Sequence, residues 1–359
     1  MKTNPIMIMA GGTGGHVYPA LAVADYLRAK DIPLFWLGTT RGIESRVVPE
    51  HGIELLTIMI SGVRGKGLPG KLVAPVKILT AILQALYICI RRRPAAVLGM
   101  GGFASGPGGI AAWLLRIPLL IHEQNRIAGT TNRILARFAV KVMQGFPDTF
   151  RAGSRVVTTG NPVRREIVEL SVSKTGKTAK RPNILVLGGS QGAQQLNRVL
   201  PPGLDRLQGR LKVNVWHQCG AKNLAETERL YGSLQLDQVR VDAFITDMAA
   251  AYAWADIAIC RAGALTIAEL CAAGLASVLI PFPYAIDDHQ TANARYLSDA
   301  GAALLLPEHE LTEDRVAELL WQLCSEEDSL HGMRQKIRSY ACPDAAQAVG
   351  SLCLEEAYA

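Results

Sequence analysis

The densest chemistry in the sequence lies in Cys260–Arg261–Ala262–Gly263–Ala264–Leu265–Thr266–Ile267–Ala268–Glu269. Asp256–Cys260 reads as a short buried strand, and Leu265, Ala268 and Ala272 recur at helical spacing until Gly274 ends the run. Gly263–Ala264 is therefore a tight strand-to-helix turn. A helix that begins there offers unpaired N–H groups and a partial positive charge, which suits a phosphate. Glu269 stands five residues in, about 7.5 Å along the axis, roughly the reach from a diphosphate to its ribose. A carboxylate there can accept from both ribose hydroxyls. The plainer alternative is an ordinary helix with a glycine turn and a solvated glutamate. The polar run Asp287–Asp288–His289–Gln290 follows the next predicted strand and can close the same neighbourhood.

Four other stretches carry residues suited to ligands. Gly11–Gly12–Thr13–Gly14–Gly15–His16 is a glycine loop that ends in an imidazole whose ordinary pKa suits proton transfer near neutrality. It fails the G-x-G-x-x-G dinucleotide fingerprint, because Val17 stands where a glycine or alanine is needed, and it lacks the Gly-Lys-Ser/Thr ending of a P-loop. A second glycine stretch, Gly99–Pro107, fits the fingerprint only formally, since Pro107 and its neighbouring glycines favour a loop over an immediate helix. His122–Glu123–Gln124–Asn125 is a polar cluster at a strand's carboxyl end, where open α/β sheets place ligands; a buried hydrogen-bonded cluster is the alternative. Gly188–Gly189–Ser190–Gln191–Gly192–Ala193 is a third glycine loop.

These stretches need strands and helices to aim them. Ile6–Ala10, Leu34–Leu37, Ala95–Leu98, Ile117–Ile121 and Val156–Thr159 read as buried strands, with a helix after His16 that carries Val17, Ala20, Leu21, Ala24 and Leu27 on one face. Gly160–Asn161–Pro162–Val163–Arg164 reads as a hinge and Ser171–Arg181 as a solvated loop. The plan then restarts with Asn183–Leu187, its glycine loop, and strands at Val213–His217, Val239–Val241, Asp256–Cys260 and Ala276–Pro281. Strand plus glycine loop at the head of each half predicts two similar doubly wound α/β domains. From Thr312 the pattern is helical, broken at Pro343.

Composition narrows the function. The chain has 359 residues, 49% hydrophobic and 19% charged, enough for two cores. Its net charge of +7 is uneven: the first 160 residues hold 19 Lys+Arg against 7 Asp+Glu, and the remainder 19 against 24. An anionic surface is thus expected for the first half. Nucleic acid is disfavoured, because the basic residues are not interleaved with aromatics and no nucleic-acid motif is present. The seven cysteines form no C-x-x-C pair and read as reduced core thiols. No signal peptide is expected ahead of the first strand. Val76–Ile90 is apolar nearly all round; its uncharged part, Ile78–Ile90, is too short to cross a bilayer. It is either a core helix or a helix with one flank in the lipid interface, flanked by Arg91–Arg92–Arg93.

The five motifs, Gly11–His16, His122–Asn125, Gly160–Arg164, Gly188–Ala193 and Arg261–Thr266, in this order and at these separations, closely resemble the MurG family of bacterial peptidoglycan N-acetylglucosaminyltransferases. The resemblance spans nearly the whole chain. It implies the GT-B architecture, two Rossmann-like domains facing a cleft: residues 1–162 plus 341–359 on the acceptor and membrane side, and 163–340 on the donor side. It implies inverting transfer of N-acetylglucosamine from UDP-GlcNAc to the C4 hydroxyl of the muramoyl sugar of lipid I, giving lipid II, with no covalent enzyme intermediate. The implied location is peripheral, on the cytoplasmic face of the inner membrane, with cell-wall synthesis and division proteins as possible partners. Carried over residue by residue, Ser190 and the helix start Ala264–Leu265–Thr266, with Ile267 and Ala268 behind it, would meet the diphosphate. Glu269 would hold the ribose, the backbone of Ile245 would read uracil, and Gln290 and Asn125 would contact the donor sugar. Arg164 would lie near the nucleotide, and Thr13, Gly14 and Gly15 would line the phosphates. Ala262 and Ala268 stand where serine is common in the family, which costs no proposed ligand. His16 and Glu123 are both candidates for the base. No Asp-x-Asp pair suits a metal, so neither metal nor cofactor is expected. Lys66, Lys71, Arg91, Arg92, Arg93, Arg116 and Trp113 are the expected membrane face. Two other functions share these features: a UDP-GlcNAc 2-epimerase, and a non-catalytic UDP-sugar-binding module docked at the membrane.

Overall fold

The structure, a computed structural model, describes residues 3–60, 68–172, 181–189, 192–325 and 329–359. The chain divides into two units, Met1–Arg164 with Cys342–Ala359, and Arg165–Ala341.

The first unit runs β1 (Ile6–Ala10), α1 (Gly14–Arg28), β2 (Leu34–Gly38), α2 (Glu44–Glu50), β3 (Leu55–Thr57), α3 (Leu68–Arg92), β4 (Ala96–Gly101), α4 (Ser105–Leu114), β5 (Leu119–Glu123), α5 (Thr130–Leu135), β6 (Lys141–Gln144) and β7 (Val156–Thr158). The second runs α6 (Arg165–Val168), β8 (Asn183–Leu187), α7 (Gln194–Leu207), β9 (Asn214–Gln218), α8 (Leu224–Gly232), β10 (Gln238–Asp242), α9 (Met248–Trp254), β11 (Ile257–Cys260), α10 (Ala264–Ala273), β12 (Ala276–Leu279), α11 (His289–Ser298), β13 (Leu304–Leu305), α12 (Glu313–Ser325) and α13 (Ser329–Arg338). The final helix, α14 (Ala345–Tyr358), belongs to the first unit.

Both sheets are parallel, in the order β3-β2-β1-β4-β5-β6-β7 and β10-β9-β8-β11-β12-β13. Parallel strands are covered on both faces, so continuous apolar runs are what they require. In β1, Ile6, Ile8 and Ala10 face Val17, Ala20, Ala24 and Leu27 of α1 and Val349 and Cys353 of α14. Met7 and Met9 face Ala81, Ala85 and Cys89 of α3 and Ala111 and Ala112 of α4. In the second unit Ile184 and Val186 of β8 pack under Leu196, Leu200 and Leu204 of α7 and Leu319, Leu320 and Leu323 of α12. None of the seven cysteines forms a disulfide, and five are buried.

Two expectations change. The Gly99–Pro107 stretch is not a loop throughout, because α4 starts at Ser105, with Pro107 in its first turn where a missing N–H costs nothing. Nor is Val76–Ile90 a core helix. The window Val73–Arg92 is long and apolar enough to span a membrane by length and composition, yet only 22% of it is buried. A stripe of small residues, Ala81, Ala85 and Cys89, packs on the sheet, while Val76, Leu79, Leu83, Tyr87 and Ile90 point outward. The outward set repeats at helical spacing, so it forms one face.

Candidate active site

Strand order reverses between β1 and β4 in the first sheet, and between β8 and β11 in the second. Loops that leave adjacent strands at such a point diverge and open a crevice. All the glycine loops singled out above leave one of these four strands.

In the first unit, the loop after β1 is held by Glu44, which is fully buried. Its carboxylate accepts from the N–H of Gly12 (2.9 Å), the N–H of Thr39 (3.1 Å) and the Thr39 hydroxyl (2.7 Å). Sequence reasoning missed this residue; the available signal was a carboxylate beside Val47 and Val48 on the apolar face of a short helix. Thr13 precedes α1 in extended conformation, and its carbonyl accepts from the N–H of His16 and Val17. Gly14 and Gly15 open the helix. The loop after β4 packs on this one: Gly101 and Gly102 have φ of +107° and +89°. A Cβ on Gly101 would lie 2.8 Å from the His16 ring, and one on Gly102 2.5 Å from the Gly11 carbonyl oxygen. Only glycine satisfies both the backbone and the approach.

β5 delivers the polar cluster, with successive side chains on opposite faces. Gln124 Oε1 lies 2.6 Å from His16 Nδ1. Gln124 Nε2 lies 3.0 Å from His122 Nδ1, and His122 Nε2 donates to the Gly160 carbonyl at 2.9 Å. Burial pushes the His122 pKa down to about 4, against weaker opposing effects of the Gly160 hydrogen bond and the Glu123 charge. Asn161 donates to the Gln124 carbonyl at 3.0 Å. The Gly160–Arg164 motif thus serves as the clamp for His122 and Gln124. Glu123 points the other way and is 2% exposed. Its oxygens accept from the Asn125 N–H (3.0 Å) and side-chain amide (3.3 Å), the Gly129 N–H (3.0 Å) and the Asn132 amide (2.9 Å). Arg164 lies over the Tyr18 ring of α1, 5.2 Å from its centroid.

In the second unit, Ser190 lies outside the described residues. The loop it belongs to is tied to Ile245 by one side chain: Gln218 donates to the Gly189 carbonyl (3.1 Å) and accepts from the Ile245 N–H (2.9 Å). Gly263 occupies the cap position of α10 in extended conformation and has no side chain with which to cap it. Ala264 and Ile267 are buried, and Leu265, Thr266 and Ala268 half-buried. Glu269 is 4% exposed and accepts from the Tyr252 hydroxyl at 2.9 Å, so the solvated reading does not hold. Arg261 ties the strand's end to the carbonyls of Ile280 and Pro281 and to Glu308. Gln290 accepts from the Phe282 N–H at 2.9 Å. Asp287 and Asp288 both have left-handed backbone, and among the described residues no three His, Cys, Asp or Glu side chains are grouped to hold an ion.

The structure therefore assembles Thr13–His16 with His122–Asn125 in one unit, and in the other sets Ile245 in the loop after β10, Ala264–Glu269 at the head of α10 and Gln290 at the head of α11. Two parallel α/β units of this kind, each with glycine loops at its switch point, define the GT-B glycosyltransferase fold. The model of the glycosyltransferase family 28 N-terminal domain matches residues 6–144, and that of the family 28 C-terminal domain matches residues 183–349. The chain belongs to glycosyltransferase family 28. It is 53% identical over 352 residues, 98% of each chain, to the UDP-N-acetylglucosamine–N-acetylmuramyl-(pentapeptide) pyrophosphoryl-undecaprenol N-acetylglucosamine transferase of Methylococcus capsulatus. It is 52% identical to the transferase of the same name from Nitrosococcus oceani, again over 98% of each chain. Among solved structures it is similar to Acinetobacter baumannii MurG, with a TM-score of 0.82 and 42% identity, covering 98% of this chain and 99% of that one.

Proposed function

We propose that the chain moves N-acetylglucosamine from UDP-GlcNAc to the C4 hydroxyl of the muramoyl sugar of lipid I, forming lipid II with inversion. The observation that carries this is the pairing, on one helix, of an uncapped N-terminus at Gly263 with a buried carboxylate at Glu269. The N–H groups of Ala264–Thr266, with Ser190, face the diphosphate, while Ile267 and Ala268 set the helix behind them. Glu269, with Tyr252 fixing one oxygen, takes the ribose hydroxyls. Because the Ile245 N–H is committed to Gln218, its carbonyl is the atom left to accept the N3–H of uracil. The Gln290 carbonyl oxygen is likewise committed, so its NH2 meets the donor sugar. In the first unit, Asn125 is proposed to bind sugar, Thr13, Gly14 and Gly15 to bind phosphate, and Arg164 to add positive charge for the nucleotide.

The chemical step is one displacement. The acceptor O4 attacks the anomeric carbon, its proton passes to a base, and the C1–O bond breaks with its electron pair leaving on the β-phosphate of UDP. His16 is the base in this reading. It is half-buried, and Nε2 is the ring atom not turned to Gln124. Glu123 is engaged through both oxygens inside its own loop and acts as the organiser of residues 125–132.

The outward face of α3, with Trp113, Leu114 and Ile134 also exposed, and the cations after it fit an anionic bilayer that carries the lipid acceptor. Arg92 is partly committed, paired with Glu54, which leaves Arg91, Arg93 and Arg116 as the stronger contributors. Lys66 and the side chain of Lys71 lie outside the described residues. Flotation with anionic but not neutral vesicles, weakening with salt, is the expected behaviour.

Purified protein should move label from UDP-GlcNAc onto a short-chain lipid I analogue, with chelator leaving donor affinity unchanged. Production of the manno epimer from UDP-GlcNAc alone would favour an epimerase. Donor binding without transfer would favour a sensor.

A further inference from the structure

We propose that Gln124, itself held by His122, is a positioning residue that fixes His16 as the Nδ1–H tautomer and so leaves Nε2 bare to take the acceptor's proton. The proposal rests on the reading of His16 as the base.

The assignment follows atom by atom from a fixed end. A backbone carbonyl can only accept, so the bond to Gly160 requires a proton on His122 Nε2. His122 is fully buried and its pKa is held near 4, so at neutral pH it carries that one proton and Nδ1 is a lone pair. That lone pair takes an N–H of Gln124, whose NH2 also lies 3.1 Å from the His122 carbonyl oxygen. Turning the amide over would set its oxygen against two acceptors, which fixes the flip. Gln124 Oε1 must then face His16, and at 2.6 Å it accepts from Nδ1–H. The Asn161 bond to the Gln124 carbonyl holds the backbone of this bridge in place.

Two consequences follow. An amide has no ionisable proton, so the bridge orients His16 and does not conduct a proton away. Once Nε2 is protonated, the Gln124 oxygen still accepts from Nδ1–H and stabilises the imidazolium. The ionisable groups in and beside the chain are His16, His122 and Glu123, and the last has its carboxylate bonded within its own loop.

The test is 15N NMR of the full-length protein labelled at histidine, near pH 8, with His16 assigned by its loss in His16→Ala. The expected wild-type spectrum shows His16 protonated at Nδ1. In Gln124→Leu the Nε2–H form should appear and kcat should fall ~10–100-fold, with KM for UDP-GlcNAc changed by no more than about twofold. Gln124→Glu keeps an acceptor against His16 Nδ1 and should retain the tautomer, while its second oxygen, set against the two His122 acceptors, should draw a proton onto His122 Nδ1, visible in the same spectrum. A wild-type His16 protonated at Nε2 overturns the proposal, and so does a Gln124→Leu enzyme with unchanged tautomer and kcat. Normal transfer by His16→Ala would instead overturn the base reading on which the proposal stands.

Discussion

Each unit buries one neutral histidine at the carboxyl end of a strand, and the two have different surroundings. His217, on β9, is closed in: Tyr231 donates to Nδ1 and Nε2 meets the Asn197 amide oxygen, both at 3.0 Å, and Asn197 in turn donates to the Cys219 carbonyl. Its bonds begin and end within buried structure. His122, on β5, has the same kind of bonds at one end, but the other end passes through Gln124 to His16, which is half-buried. Burial pushes both pKa values down, to about 3 for His217 and about 4 for His122. A depressed pKa therefore does not distinguish the two histidines. What differs is the residue at the end of the hydrogen-bond chain, the proposed base His16 in one unit and buried structure in the other.

Replacing each histidine by phenylalanine gives the sharpest contrast. His122→Phe should cost both rate and stability: transfer should drop at least ~10-fold because the Gln124 NH2 loses its acceptor, and the loss of the buried His122 hydrogen bonds should cost about 1–3 kcal/mol. His217→Phe should lose a similar amount of stability, yet transfer per folded molecule should stay within about twofold. Equal losses of kcat in the two variants would erase the distinction.

A smaller effect comes from acid. Both histidines are protonated near pH 6.5 when unfolded and only near pH 3–4 when folded. Between those limits the unfolded chain binds more protons, so stability is complete above pH 6.5 and falls as pH drops. The slope should be about 1.4 kcal/mol per pH unit for each histidine. Urea unfolding at pH 7.5 and 5.5 measures it. His217→Phe should flatten the dependence of the second unit alone, and a wild-type protein equally stable at both values would contradict the account.

Much of the fold was legible because its central strands, such as Ile6–Ala10, Ala96–Gly101 and Ile257–Cys260, are fully buried and therefore read as unbroken apolar runs. Glycine loops marked the switch points for the same reason that the backbone needs them there. Three short strands escaped: Leu55–Thr57 and Leu304–Leu305, with only half-buried or exposed positions, and Lys141–Gln144, mostly buried but with its two apolar residues between polar ends. The two faces of α3 were ambiguous because apolar residues occur all round it, and only packing shows that the alanines face in. The site divides similarly. Its loops and ionisable residues stood out by type. The roles of Glu44, Gln124 and Gly160 did not, because each is set by a contact with a distant part of the chain, at sequence separations of 32, 108 and 38 residues. Sequence alone offered His16 and Glu123 as bases; that both Glu123 oxygens accept hydrogen bonds within their own loop could be read only from the structure.

The most direct test of the account is single-turnover transfer by His16→Ala at saturating UDP-GlcNAc, with donor affinity measured alongside. The account predicts a rate reduced ~10²–10⁴-fold while donor affinity is retained. Transfer within a few-fold of wild type, at unchanged donor affinity, would remove His16 from the chemistry and contradict it.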